Sequence, residues 1–274
     1  MCIINNPVDE VKNTKLFVSK NTDNTRQITI YANIVDNKIR NNAMILPVPF
    51  IDSVIFHDLS EYSKLFDDCN NCFYKHETKS LKSFSYGFTT NNLEVFNVGS
   101  YKVSIAKKIE DLKRADPSVF QISNGAYEVL DKNYGKYEHV GYIICKLNEK
   151  KEKYHPFAYS HNIKSSILFI PTKHYHDHSK YMQNYSMTNI FDASQNGQDT
   201  KTADDWDHEV YIVNYENNNK YNEYLNGFTK KNDWIKSKCI NLTKYGFELP
   251  TVLNFAKLVI SGRYNNIDLK VKVY

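Results

Sequence analysis

Short runs of β-branched and aromatic residues recur along the chain, and they limit the fold more than any other feature of the sequence. The runs at 16–18 and 28–32 are apolar or alternating, and the run at 101–105 alternates cleanly between apolar and polar side chains. Such runs are typical of strands, in which successive side chains point to opposite faces of a sheet. Further strands are predicted at 139–147, 167–170, 206–214 and 269–273.

Helices are few in the sequence and do not alternate regularly with the strands. Short helices are predicted at 107–114, at 125–133 and at about 251–260. This arrangement predicts an α+β fold with a mixed or antiparallel sheet and a few short helices. Met44-Ile45-Leu46-Pro47 and Leu168-Phe169-Ile170-Pro171 echo each other. They fit either a weak two-fold internal repeat or, as we favour, two unrelated strands that end at proline.

The length of the chain, 274 residues, fits one large domain or two small ones. We predict a single globular domain over 1–274. The charge run at 149–153 offers an alternative, a sub-domain boundary near residue 150. A solvated turn between two strands of one sheet is the interpretation that we favour for this run.

Charge, hydropathy and cysteine content narrow the partners and the compartment. The net charge is only +4 and the basic residues are scattered, so no nucleic-acid partner is expected. No stretch approaches the roughly 20 apolar residues that cross a bilayer, so no membrane span is expected. An odd count of five cysteines, without a recognisable secretory signal, favours reduced thiols and a cytoplasmic location.

Part of the first half of the chain resembles a known family. The matching pieces are 27–31, 44–49, 98–103, 125–127 and 134–135. Together they resemble a poorly characterised bacterial family known only as a domain of unknown function. The resemblance is confined to about 27–147, implies no activity, and transfers no functional residue. Abundant Asn, Lys, Ile and Tyr are typical of AT-rich genomes, so we expect a source such as a large (giant) DNA virus or a protist, in a host cytoplasm or a virion if viral.

Histidines are concentrated in one part of the sequence. Six of the nine lie between 155 and 208, namely His155, His161, His174, His176, His178 and His208. Imidazole is the commonest metal ligand and the side chain best suited to proton transfer near neutral pH. On a strand, His174, His176 and His178 share a face, but the outer two lie roughly 13 Å apart. Two of them with His155, His161 or His208 fit a site for zinc or another divalent metal that keeps an open coordination position.

Two interpretations without a metal compete with this site. The simpler interpretation is an exposed strand end, without chemistry, at which histidines and tyrosines contact solvent. The other is a pocket in which a histidine of 155–161, or His208, acts as a general base oriented by a carboxylate. In the metal site, by contrast, the carboxylate expected to orient a histidine ligand is Asp205 or Asp207, because Asp177 points to the opposite face of a continuing strand.

Two cysteine patterns carry less chemistry. Cys69-Asn70-Asn71-Cys72 is a lone CxxC, and even with His76 it lacks a fourth ligand, so two structural thiols are expected. Cys2 becomes N-terminal if Met1 is removed, but Ile3-Ile4-Asn5-Asn6 is a poor match to an N-terminal nucleophile. Phosphate-binding and hydrolase signatures are absent from the sequence.

The sequence leaves two functions open. The first is a non-enzymatic α+β factor, virion-associated or host-directed, that acts by binding a protein partner. The second is a metal-dependent hydrolase in which the histidine site lowers the pKa of a bound water.

Overall fold

The computed structural model describes residues 2–6, 8–37, 39–71, 92–147, 152–153, 155–175, 206–213, 235–237, 255–262 and 268–273. The strands are β1 (Cys2–Ile4), β2 (Glu10–Lys20), β3 (Arg26–Asp36), β4 (Ala43–Pro49), β5 (Ile55–His57), β6 (Val95–Val98), β7 (Tyr101–Ala106), β8 (Val140–Lys146), β9 (Glu152–Lys153), β10 (Phe157–Asn162), β11 (Ile167–Ile170), β12 (His174–Tyr175), β13 (Trp206–Val213), β14 (Ile235–Ser237), β15 (Phe255–Gly262) and β16 (Leu269–Lys272). The helices are α1 (Leu65–Asn71) and α2 (Asn124–Tyr134), with 3₁₀ turns at Ile51–Ser53, Ser60–Tyr62 and Ile109–Arg114.

Sheet dominates the architecture. The larger sheet has eight strands in the order β14-β15-β13-β2-β3-β10-β5, with β9 also paired to β3. Its pairs are antiparallel except that β13 runs parallel to β2. The second sheet has six strands in the order β12-β1-β4-β8-β7-β6, and β11 pairs with β16 in a separate two-stranded sheet. The mixed sheet is therefore as predicted, while helix is a smaller part of the fold than the term α+β suggests.

The largest hydrophobic core receives side chains from both large sheets. Leu16 and Val210 come from the eight-stranded sheet, Leu46 and Val103 from the six-stranded sheet, and all are fully buried. A second cluster packs α1 against the eight-stranded sheet through residues such as Leu65. A third packs α2 and the 109–114 turn against the six-stranded sheet. Each large sheet thus has one face in the shared core and part of its other face under a helix.

Strand β4 accommodates its two prolines because of where its neighbours end. Pro47 and Pro49 pair with β8, opposite Tyr142 and Val140. Both prolines are an even number of residues from Ala43, so the backbone groups of all three positions point to the same side of the strand. That side faces β1, because the Ala43 carbonyl accepts a hydrogen bond from the Asn5 N–H. Since β1 pairs only with Met44 and Ile45, the missing N–H groups of the prolines leave no ladder bond unmade. Pro49 is thus at the end of β4, as the sequence suggested for a strand closed by proline, whereas Pro47 lies inside the strand, where β8 is its partner.

The predicted helix near 251–260 is wrong. Residues Phe255–Gly262 form strand β15, paired over eight residues with β13. An apolar run of this length does not by itself distinguish a buried strand from a helix. Pairing with a neighbour that lies about 50 residues earlier in the sequence decided it. The helices predicted at 125–133 and 107–114 are found as α2 and as the 3₁₀ turn Ile109–Arg114.

The two proline-ended segments of the possible repeat occupy different environments. The first lies in β4, within the six-stranded sheet, and the second in β11, within the two-stranded sheet. In the part of the chain that the structure describes, no helix is long and apolar enough to cross a membrane.

Candidate functional site

Two edge strands from the two large sheets lie side by side. Within the described residues, β5 is the last strand of the eight-stranded sheet and β6 the last of the six-stranded sheet. The rings of Phe56 in β5 and Phe96 in β6 are 5.7 Å apart between centroids. Ile55, next to Phe56, leaves 51% of its surface exposed. The strands β5 and β6 together are called the β5–β6 edge below.

A tight turn holds β6 in this position. Gly99, in the turn between β6 and β7, has φ +58°, and a Cβ there would lie 2.6 Å from Nε2 of His155 and 2.8 Å from Oδ1 of Asp58. The backbone N–H of Ser100 donates to His155 Nε2 at 3.0 Å. The Tyr101 hydroxyl donates to the His155 carbonyl at 2.7 Å. Glycine is needed here both for the left-handed backbone and for the close approach of the imidazole.

An arginine-centred cluster holds β5. The guanidinium of Arg26 donates to the carbonyl oxygens of Ser53 and Ser160 and, from Nη1, to Asn162 Oδ1 at 2.7 Å. His57 Nε2 lies 3.0 Å from the Ser160 hydroxyl. Burial, with the Arg26 charge adding to it, lowers the pKa of His57 to about 4, so the ring is neutral at pH 7. The cluster connects β3, β5 and β10, and the partly buried guanidinium of Arg26 has carbonyl and amide oxygens as its partners.

The His57–Ser160 pair resembles part of a nucleophilic dyad, but its setting is structural. Ser160 is only 3% exposed, so a substrate carbonyl has no access to its hydroxyl. That hydroxyl also accepts from Nε of Arg26 at 3.2 Å. A nucleophilic serine needs a hydroxyl that the substrate can reach and a general base that accepts its proton. We therefore assign the pair to the support of β5.

Three of the predicted histidine ligands, His155, His161 and His208, occupy separate places. His155 bonds Ser100 through Nε2 and lies 3.0 Å from the Pro156 carbonyl through Nδ1, so both nitrogens are engaged. His161, in β10, pairs opposite Gln27, and His208, in β13, pairs opposite Thr14. Three strand spacings and an offset of six residues along the strands separate these two histidines, on the order of 25 Å. His155, His161 and His208 therefore do not converge on one ion.

The remaining predicted ligands lie at or beyond the limit of what is described. His174 is in β12, where its backbone pairs in parallel with Cys2 of β1. His176, His178 and Asp205 lie outside the described residues, as do Cys72 and His76 of the CxxC region. Among the described residues, no group of three or more His, Cys, Asp or Glu is placed to hold a metal. The site built on His174, His176 and His178 stays a prediction. Cys69, in α1, is buried.

Sequence reasoning did not identify the β5–β6 edge. The segments that contain Ile55, Phe56 and Phe96 are three and four residues long, so their periodicity is too brief to indicate a strand. Val98-Gly99-Ser100-Tyr101 was singled out for its pattern, and its glycine marks the turn that holds the edge. Which strands end a sheet depends on long-range pairing, so no local signal identified the edge.

Comparison with known proteins gives a likeness of fold. No family model matches the chain, so the resemblance to a bacterial family has no support. The crystal structure of baculovirus P35 is similar, with a TM-score of 0.50 and 11% sequence identity over 96% of each chain. The fold resembles that of a viral protein. Similar structures also include P35 in a complex with caspase-8 (TM-score 0.47, 10% identity, 96% of each chain). A mutated P35 after caspase cleavage has a TM-score of 0.49 at 10% identity, covering 97% of this chain and 98% of that one.

Proposed function

We propose that this chain is a virus-encoded, non-enzymatic factor that acts in the host cytoplasm by binding a protease of the caspase class. The observation that carries the proposal is a shared fold with baculovirus P35 over 96% of both chains. P35 itself has been seen in a complex with caspase-8. At 11% identity no residue of P35 is transferred to this chain. The proposed contact surface rests on this chain's own residues.

The β5–β6 edge has the physical properties of a strand-binding surface. An edge strand presents unpaired backbone donors and acceptors, and an extended peptide can extend the sheet by pairing with them. Ile55 has an exposed apolar side chain beside this backbone. The partly buried rings of Phe56 and Phe96 pack against the core at the same edge. Both strands are short, three and four residues, which limits indiscriminate pairing with other chains. Because the Gly99 turn and the Arg26 cluster already hold the two strands in place, little conformational entropy is lost on binding.

Binding is tested with purified chain and enzymatically active caspase-8. Size-exclusion chromatography and calorimetry follow complex formation, and intact-mass measurement follows any cleavage of the chain. We expect a complex of one chain with one protease active unit. Absence of a complex at roughly 10 µM of each protein, an affinity weaker than about −7 kcal/mol, would reject the caspase-directed function.

The location of the contact is tested by a matched pair of variants. Three large apolar side chains among the described residues are exposed, namely Ile55, Tyr137 and Val259. Ile55→Lys places a charge on the β5–β6 edge, whereas Val259→Lys places the same charge on β15, far along the sheet order. Ile55→Lys is expected to weaken binding by tenfold or more, on the order of 1–2 kcal/mol, and Val259→Lys to leave it unchanged. Equal binding by the two variants would show that the protease docks elsewhere.

A further inference from the structure

A cavity of about 600 Å³ lies between the ends of β3 and β10, strand β11, the C-terminal end of α2 and the residue before β16. It adjoins the His161 end of β10, one residue beyond Ser160, which pairs with Ile55 of β5. Its apolar wall includes Phe50, Val140, Ile163, Ile167, Leu168 and Phe169. This volume is within the range of pockets that hold small organic ligands.

Most polar groups of the wall already have partners. The Asp268 carboxylate accepts from the Lys173 backbone N–H at 2.9 Å and from the hydroxyl of Tyr134. The Gln27 side chain exchanges two hydrogen bonds with the backbone of Phe169, at 2.6 and 2.9 Å. These contacts fix the walls and leave Asp268 and Gln27 little capacity for a ligand.

His161 differs from these groups. The residue is 1% exposed and lines the cavity. Its Nδ1 lies 2.9 Å from the Asn162 carbonyl oxygen, which can only accept, so Nδ1 carries the proton. Burial, with a smaller effect of the Arg26 charge, lowers the pKa of His161 to about 4, so the ring is neutral at pH 7. Nε2 is then a bare acceptor, and no hydrogen bond to it is found within the described residues. A buried acceptor beside an open volume is a place for a donor from a ligand.

Phe50 gives an independent indication. It has φ 52° and ψ 45°, a left-handed conformation that is strained for a bulky side chain. Its N–H donates to the His139 carbonyl at 2.8 Å, and the Lys164 ammonium lies 5.1 Å from its ring centroid. Strained residues persist where the surroundings hold them, and they concentrate at ligand sites. Here the surroundings keep Phe50 in the strained conformation, and Phe50 lines the cavity.

The charges around the cavity narrow the chemistry of the ligand. Lys164, Lys173 and Lys270 line it, against the single carboxylate of Asp268. This balance disfavours cationic ligands such as amines. We propose that the cavity binds a small aromatic molecule of the phenol class, whose hydroxyl donates to Nε2 of His161 and whose ring packs against Phe50 and Phe169.

The proposal is tested with two probes that differ in the donor alone, 4-ethylphenol and ethylbenzene. Calorimetry on the full chain should give about tenfold tighter binding of 4-ethylphenol, the value of one hydrogen bond to a buried acceptor. His161→Phe keeps an aromatic ring but removes the acceptor, so the preference should fall to about onefold. Failure of both probes to bind at millimolar concentration, or an unchanged preference in His161→Phe, would overturn the proposal.

A spectroscopic measurement covers the case in which His161→Phe does not fold. In the wild-type chain, the ¹⁵N resonance of His161 Nε2 should move upfield on addition of 4-ethylphenol and stay in place on addition of ethylbenzene. A His161 Nε2 chemical shift that does not change on addition of 4-ethylphenol would equally overturn the proposal. Neither readout involves a protease, so this inference and the proposed function succeed or fail separately.

Discussion

At the scale of single residues, the buried imidazole of His161 and the partly buried imidazole of His57 make the stability of the protein depend on pH. His57 and His161 both have a pKa near 4, lowered first by burial and then by the charge of Arg26. In the unfolded chain both return to about 6.5. Protonation therefore favours the unfolded state, so their contribution is complete above about pH 6.5 and is lost as the pH falls toward 4. Each imidazole accounts for about 3 kcal/mol over that window.

The prediction is checked by chemical denaturation between pH 4 and pH 7.5. His161→Phe should be less sensitive than the wild-type chain to pH between 4 and 6.5. His139→Gln is the matched control, because His139 is exposed, and it should retain the full wild-type slope. An identical slope for the wild-type chain and His161→Phe would contradict the assignment of a neutral buried ring.

The histidine site predicted from the sequence is also a question of single residues. Untagged chain purified without chelators or nickel resin should contain about one equivalent of zinc, iron or manganese by mass spectrometry if the site exists. Changing His174 and His176 together to alanine should then remove the metal, because two neighbouring ligands are lost. Changing His155 to alanine serves as a control, because both of its nitrogens are engaged within the fold. A folded, stable and metal-free wild-type chain would dismiss the metal-dependent hydrolase.

At the scale of secondary-structure elements, one buried ion pair joins three of them. Lys257 in β15 is 7% exposed, and its ammonium lies 2.5 Å from Glu209 Oε1 in β13 and 2.9 Å from Asn70 Oδ1 in α1. Burial opposes ionisation of Glu209, yet hydrogen bonds from Lys257 and Tyr211 hold its pKa below the ordinary value. The pair thus secures the C-terminal end of α1 to the sheet.

Removing the cation should be costly because the carboxylate remains. Lys257→Met is expected to lower the free energy of unfolding by about 3 kcal/mol, since within the described part of the chain Glu209 then keeps Lys15 and Tyr211 as its partners. Lys12→Met breaks the Lys12–Glu10 pair, in which both side chains are about 40% exposed, and should cost less than about 1 kcal/mol. Urea unfolding of the two variants measures the difference. Equal losses would mean that the buried pair does not stabilise the packing of α1.

At the scale of the whole molecule, the main core joins residues that are distant in sequence. Leu16 and Met44 from the first part of the chain pack in one cluster with Leu168, Val210 and Leu258 from the second part. The prediction of a single domain, or of a boundary near residue 150, concerns this core. A boundary at 150 requires two cores that can unfold independently.

We expect a single cooperative unfolding transition. Near-ultraviolet circular dichroism and calorimetry should give coincident midpoints. Leu46→Ala in the six-stranded sheet and Val210→Ala in the eight-stranded sheet should both lower that one midpoint, because each truncates a fully buried side chain at a cost of roughly 1–5 kcal/mol. Two transitions, each moved by one variant alone, would place a domain boundary between the sheets.

The sequence by itself determined most of the local structure. Alternating and β-branched runs located β2, β3, β7, β8 and β11, and the helix predicted at 125–133 lies within α2. Pro49 ends β4, whereas Pro47 lies inside that strand. These features are local, because strand periodicity, capping and the missing proline N–H act over a few residues.

Only the tertiary structure decided what the site consists of. Pairing with β13 made Phe255–Gly262 a strand, and the β5–β6 edge is where, among the described strands, the order of each large sheet ends. The sequence placed six histidines close together, yet the fold sends His155 to a turn, His161 to a cavity and His208 to another strand. Closeness in sequence becomes closeness in space only within a strand or helix. Between sheets, the register of long-range pairing and the shared core determine which side chains meet.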